Sequence, residues 1–172
     1  LQEQVEQNVE AQNREPTSRF SQIRLYFNEV IEEVLDRKAL LSVFPNTRGH
    51  LEFRAEILDE GGNATSADLG FTYRKLLCVA FDLAVLRVHL GDRFPRFAYH
   101  DGVLESLDDR KKENLLAVLR AYADLGPQSV ITLIDSDLPA RPDETPVFED
   151  AEIVVRLHDM GEDGRLFRMA SW

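Results

Sequence analysis

Arg96-Phe97-Ala98-Tyr99-His100-Asp101-Gly102-Val103-Leu104-Glu105-Ser106-Leu107-Asp108 is the stretch on which the fold of this 172-residue chain turns. A short apolar run that ends in Asp-Gly predicts a strand stopping at a turn, with the Asp101 carboxylate at its tip. Residues 109–125 then repeat apolar positions at helical spacing, and residues 128–135 read as a second, buried strand. Strand, helix and strand in that order predict parallel neighbours, and open α/β sheets gather ligands beyond the carboxyl ends of such strands. A carboxylate there can hold the water shell of Mg²⁺ beside substrate phosphates. Asp101 is therefore the candidate metal residue.

Upstream, residues 71–90 form a long, mostly apolar helical pattern, entered through a Gly-, Asn- and Ser-containing loop at 59–68. Leu51, Phe53, Ala55 and Ile57 alternate with His50, Glu52, Arg54 and Glu56, the mark of a half-buried strand, which predicts an antiparallel pair with residues 39–44. Before it, Phe20, Ile23, Phe27, Val30, Ile31 and Val34 recur at helical spacing behind Thr17 or Ser18 as N-cap, so that this helix is expected to pack on a sheet. Residues 1–15 are rich in Glu and Gln, with only Leu1, Val5 and Val9 on one stripe, and read as the end of a coiled-coil arm. A chain that starts at Leu1 inside a helical pattern is expected to be a piece of something longer. At the other end, after the Pro-rich connection 139–146, residues 152–158 and 165–169 predict a closing hairpin around Gly161 and Gly164.

Composition narrows the function. Apolar residues make up 44% of the chain, enough for one domain core, and the net charge is −11. That balance argues against a self-sufficient nucleic-acid surface, because phosphate backbones are held by clustered Lys and Arg. The two small basic clusters, Arg74-Lys75 and Arg110-Lys111-Lys112, read as solvated faces. Cys78 is the one cysteine and sits among apolar neighbours, which predicts a core residue and a reducing, cytoplasmic setting. No run approaches the roughly 18 apolar residues of a membrane-spanning helix. His50, His89 and His158 have no metal-ligand spacing, and the acidic positions Asp135, Asp137, Asp143 and Glu144 read as a solvated loop.

One family shares several of these features together: Gly70 followed by Arg74-Lys75-Leu76-Leu77 and Ala80-Phe81-Asp82-Leu83-Ala84, then His100-Asp101, Leu107-Asp108-Asp109-Arg110 and Gly164-Arg165-Leu166-Phe167. In these the chain resembles the C-terminal domain, of unknown function, of YydD-like, SMC/RecN-related ABC-type ATPases. The resemblance implies an α/β fold, the C-terminal lobe of a P-loop head spanning residues 16–172, with a mostly parallel sheet, flanking helices, an antiparallel N-terminal strand pair and a C-terminal hairpin. It implies Asp101 as the Walker B ligand of Mg²⁺ and Asp108 as the D-loop residue, seven positions on. Gly70, Phe71 and Thr72 would form the signature-like loop that meets the γ-phosphate of ATP on the opposite head, with Ser66 as the alternative contact. The implied partners are the protein's own N-terminal lobe, a second head, accessory proteins and DNA reached through other regions, in bacterial DNA maintenance or defence against mobile DNA.

The departures from the family pattern concern catalysis. The Glu that follows the Walker B Asp is replaced by Gly102, leaving Glu105 as the nearest alternative; the Ser-Gly-Gly signature is absent; and Asp135 follows the next strand where a switch His is expected. His100 would assist proton transfer or sense the γ-phosphate if it faced the nucleotide, although a structural role is the stronger reading. Gly-x-x-x-x-Gly-Lys-Ser/Thr, which grips the β- and γ-phosphates, occurs nowhere in the chain. The chain alone is thus expected to be inactive, and a parent ATPase, a hydrolysis-deficient docking module and an unrelated α/β domain with a coincidental Asp-ended strand stay open as readings.

Overall fold

The computed structural model describes residues 2–65, 70–158, 160–161 and 164–165. The chain is mixed α/β and divides into two compact units, Leu1–Pro139 and Ala140–Trp172, with the break inside the Pro-rich connection.

The first unit opens with helix α1 (Gln2–Arg14), which lies against α2 (Arg19–Leu35) and strand β1 (Ala39–Pro45). Ser18 is the N-cap of α2: its hydroxyl accepts from the Ser21 amide at 3.1 Å and donates to the Gln12 carbonyl at 2.8 Å, so one side chain starts α2 and fastens α1 to it. Phe27, Val30, Ile31, Val34 and Leu35 are buried, the stripe that the spacing predicts. The helix packs on α3 (Phe71–Val88) and α4 (Asp109–Asp124) as well as on β1, so its core partners are helices as much as a sheet. It ends at Asp36, whose left-handed φ of 56° lets its amide donate back to the Glu32 carbonyl at 2.8 Å.

Strand β1 pairs antiparallel with β2 (Leu51–Ile57), from Ala39 opposite Ile57 to Pro45 opposite Leu51. Asn46 organises the turn, its side-chain oxygen accepting from the amides of Arg48 and His50. Only the Ile57 end of β2 is buried. Leu51 and Phe53 are largely exposed, although Phe53 stands edge-on to Phe20 of α2 and Phe81 of α3, which cover only part of its ring.

The most apolar helix, α3, buries Leu76, Leu77, Val79, Ala80, Leu83, Ala84 and Leu86. Cys78 is exposed, contrary to its expected place in the core. Its apolar sequence neighbours misled: at about 100° per residue it falls on the side opposite the buried arc.

Strand β3 (Phe97–Asp101) pairs parallel with β4 (Gln128–Thr132), Asp101 opposite Thr132, and α4 makes the crossover. The inner face carries Ala98 and His100, both buried, against the helices. The outer face carries Phe97 and Tyr99, 59% and 58% exposed, beside Val130. Among the described residues the expected mostly parallel sheet is therefore one parallel pair and one antiparallel pair of two strands each. No third strand adds to the parallel pair among the described residues.

In the second unit, Asp150–Glu152 form one 3₁₀ turn closed by a capping box between Glu149 and Glu152. The strand expected at residues 152–158 is absent. A strand needs a ladder partner, and among the described residues the backbone there joins none; Val154 is 95% exposed, although Ile153 is half-buried. One bond expected of the hairpin is made, from the His158 amide to the Gly164 carbonyl at 2.9 Å, while residues 166–169 of its second strand lie outside the described residues. No helix among the described residues is long and apolar enough to cross a membrane.

Candidate functional site at the tip of the parallel strands

Asp101 is the last residue of β3 and is exposed. Parallel register puts Thr132 beside it, and the Thr132 hydroxyl donates to Asp101 Oδ1 while lying 3.4 Å from the Tyr99 hydroxyl. The Gly102 amide donates to the Thr132 carbonyl at 2.8 Å, carrying the pairing one residue past the strand.

The loop then turns sharply. Gly102 has φ 59° and Ser106 has φ 60°, and the loop between them is anchored by the buried side chains of Val103, Leu104 and Leu107. Lys75, from the second turn of α3, spans the turn: its ammonium donates to the Gly102 carbonyl at 2.9 Å and to Glu105 Oε2 at 2.7 Å. A β-carbon added at Gly102 would stand 3.3 Å from that ammonium and 3.5 Å from the Glu105 carboxylate. The space beside Asp101 that a side chain at 102 would enter is thus filled by the Lys75–Glu105 pair.

His100 faces away from the tip. It is 8% exposed, its Nε2 lies 3.0 Å from Asp82 Oδ2 on α3, and its buried Nδ1 has no hydrogen-bond partner among the described residues. Asp108 caps α4, accepting from the Lys111 amide at 3.0 Å and from its ammonium at 2.5 Å. The Lys111 side chain, foremost, and its amide hold the Asp108 carboxyl below the usual Asp range. Gly70 is the N-cap of α3 in extended conformation, with no side chain to occupy the free first-turn amides. Phe71 is exposed, with the Lys75 ammonium 5.0 Å from its ring centroid, and Thr72 is half-buried. Ser66 lies outside the described residues.

Asp101, Gly102 and Glu105 are thus brought together, and Gly70–Thr72 open the helix that also carries Lys75. Sequence reasoning did not name Thr132, and it read Lys75 as part of a solvated basic cluster and Asp82 only as a position shared with the resembled family, pairing neither with the site. Thr132 was within reach, since two parallel strands followed by turns align their tips; Lys75 was not, since nothing in its spacing tells which loop it reaches. The Asp101–Thr132 oxygens are hard, exposed donors suited to Mg²⁺, but among the described residues no three His, Cys, Asp or Glu side chains converge on a common point. The tip therefore fits a cation held largely by water and phosphate oxygens, not a protein cage.

Residues 28–171 match the family described as "Uncharacterised protein conserved in bacteria (DUF2326)". The chain belongs to this family. No curated protein matches the DUF2326 chain. Among solved structures it is similar to an Smc head bound to the C-winged helix domain of ScpA, at 20% identity and a TM-score of 0.52, over 69% of this chain and 36% of that one. An Smc head with an extended coiled coil from Pyrococcus furiosus, bound to the C-terminal domain of ScpA, gives 19% identity and a TM-score of 0.50, over 69% and 30% of the two chains. A structure from work on ATP-driven dimerization and DNA-stimulated activation of SMC ATPases gives 16% and 0.51, over 69% and 71%. The DUF2326 chain thus has the fold of part of an SMC head, and spans about a third of the length of the first two.

Proposed function

We propose that this chain is the C-terminal lobe of a YydD-like, SMC-type ATPase head, which binds Mg²⁺ and ATP together with an N-terminal lobe and a second head. The observation that carries this reading is the parallel β3–β4 pair, with Asp101 at its carboxyl tip and Phe97, Tyr99 and Val130 bare on its outer face. Parallel strands are ordinarily covered on both faces, so a second layer is expected on that side. An N-terminal lobe would supply it, together with the missing phosphate-gripping loop.

In this reading Asp101, oriented by Thr132, holds the cation, which neutralises charge on the nucleotide phosphates. Gly70–Thr72, or Ser66, present the start of α3 to the γ-phosphate of the opposite head. Asp108 sits at the head–head contact while keeping α4 capped. Proton handling by His100 or Glu105 would require their pairs with Asp82 and Lys75 to open. ATP binding and head closure are accordingly proposed ahead of fast turnover, in a cytoplasmic bacterial system for DNA maintenance or defence against mobile DNA, an assignment that rests on family analogy.

The test is to restore the N-terminal lobe and measure Mg²⁺-dependent ATP binding. The expected result is binding that Asp101→Ala lowers by about tenfold or more; equal binding by the variant would overturn the metal assignment. A second reading is favoured by one observation. With Gly102 in a left-handed turn and the adjoining space filled by Lys75–Glu105, the lobe is suited to serve as a hydrolysis-deficient docking module. Single-turnover hydrolysis by the complete head at ordinary ABC rates would eliminate that alternative.

A further inference from the structure

One of the two basic clusters at helix starts borders a hollow. A cavity of about 250 Å³ is lined by Leu35 at the end of α2, by Asp36 and Arg37 just beyond it, by Tyr73 in the first turn of α3, and by Arg110 and Lys111 in the first turn of α4. Its wall is predominantly polar. The elements explain the convergence. The left-handed Asp36 ends α2 and brings Arg37 to the wall, while the Asp108 cap sets the start of α4 with two cations side by side.

Charge at the hollow runs against the chain as a whole. Three cationic side chains line it, against the single carboxylate of Asp36, in a chain of net charge −11. Lys111 is shared with Asp108 at 2.5 Å and lies 6.0 Å from the Tyr73 ring centroid. Arg37 and Arg110 make no salt bridge and no hydrogen bond among the described residues, and Arg110 meets the Asp108 carboxylate only through a longer-range attraction, so both guanidinium forks are available at one cavity. The dipole of α4 favours an anion at this end, although the Asp108 carboxylate already caps the Lys111 amide.

Arginine forks match phosphate oxygens in pairs, whereas a carbonyl or hydroxyl ligand would leave two cations unanswered. Volume sharpens the choice. Pockets for drug-sized ligands run about 300–1,000 Å³; this one is smaller and suits a phosphate or pyrophosphate group but not a whole nucleotide. We propose that the hollow binds a phosphate group through Arg37, Arg110 and Lys111. None of its lining residues is among those assigned to ATP or Mg²⁺, so this site needs neither a second lobe nor the nucleotide reading.

Calorimetric titration of the chain with inorganic pyrophosphate and, separately, with a short single-stranded DNA is the test. Saturable binding of pyrophosphate is expected, weakened about tenfold or more when Arg37→Gln and Arg110→Gln are combined. Both arginines are exposed, so the fold should be retained, which circular dichroism checks. Arg74→Gln, an exposed cation outside the hollow, should leave binding unchanged. DNA binding with the same arginine dependence, displaced by pyrophosphate, would assign the phosphate to a nucleic-acid backbone; pyrophosphate binding alone would assign it to a small phosphorylated ligand. Absence of saturable binding by either probe, or an equal loss in Arg74→Gln, overturns the proposal.

Discussion

Lys75 and Glu105, thirty positions apart, meet at 2.7 Å, and the same ammonium donates to the Gly102 carbonyl at 2.9 Å. This clamp ties the second turn of α3 to the loop that follows Asp101. Lys75 is the better shielded partner, and a charged donor on a carbonyl outweighs an exposed ion pair. Lys75→Met is expected to cost about 1–2 kcal/mol and Glu105→Gln under about 1 kcal/mol, read from urea unfolding.

Gly102 tests the same loop through its backbone. At φ 59° an L side chain is strained, while its nearest contact, the Lys75 ammonium, is the yielding end of a long chain. Conformation and not space therefore sets the cost. Gly102→Ala should destabilise by about 1–2 kcal/mol, and adding Lys75→Met should recover little of it. Full recovery in the double variant would show that crowding dominates.

Asp108 links stability to acid. Its carboxyl is held low by Lys111, so its contribution is present above the unfolded-state value of about 3.9 and is lost as pH falls through the lower folded value. Asn caps a helix as well as Asp but cannot pair with the ammonium. Asp108→Asn should therefore be less stable than the parent at neutral pH, and equal to it once the folded carboxyl is protonated. High salt should shrink the neutral-pH difference.

The helical core and the open face of the parallel pair should respond differently to truncation. Leu83, fully buried on α3 in the core of the first unit, should cost about 2–5 kcal/mol as Leu83→Ala. Phe97→Ser and Tyr99→Ser, on the open face, should each cost about 1 kcal/mol or less in thermal unfolding. The same two changes should weaken binding of a separately made N-terminal lobe, measured by co-purification, far more than they weaken the fold.

Legibility in the sequence followed how local each determinant is. The Asp101 tip, the cap at Ser18 and the periodic faces of α2 and α4 depend on residues within a few positions, and they stand where spacing predicts. Phe53 and Val154 were misread because alternation says that a face can be buried but not that anything is there to bury it. Cys78 was misread because apolar neighbours in sequence lie around the whole circumference of a helix. At the site, the Thr132 partnership follows from parallel register, whereas the Lys75 clamp and the cavity joining Arg37 to Arg110 depend on how three helices pack. No single window of sequence contains that packing.

The bare outer face of β3 and β4 also bears on how such a chain survives inside a cell. Phe97, Tyr99 and the strand edges left open among the described residues are the features by which chains stick to one another as they emerge from ribosomes. A layer that folded over that face early in synthesis would hide it before chains meet, and a chain that exposed it for longer should aggregate sooner.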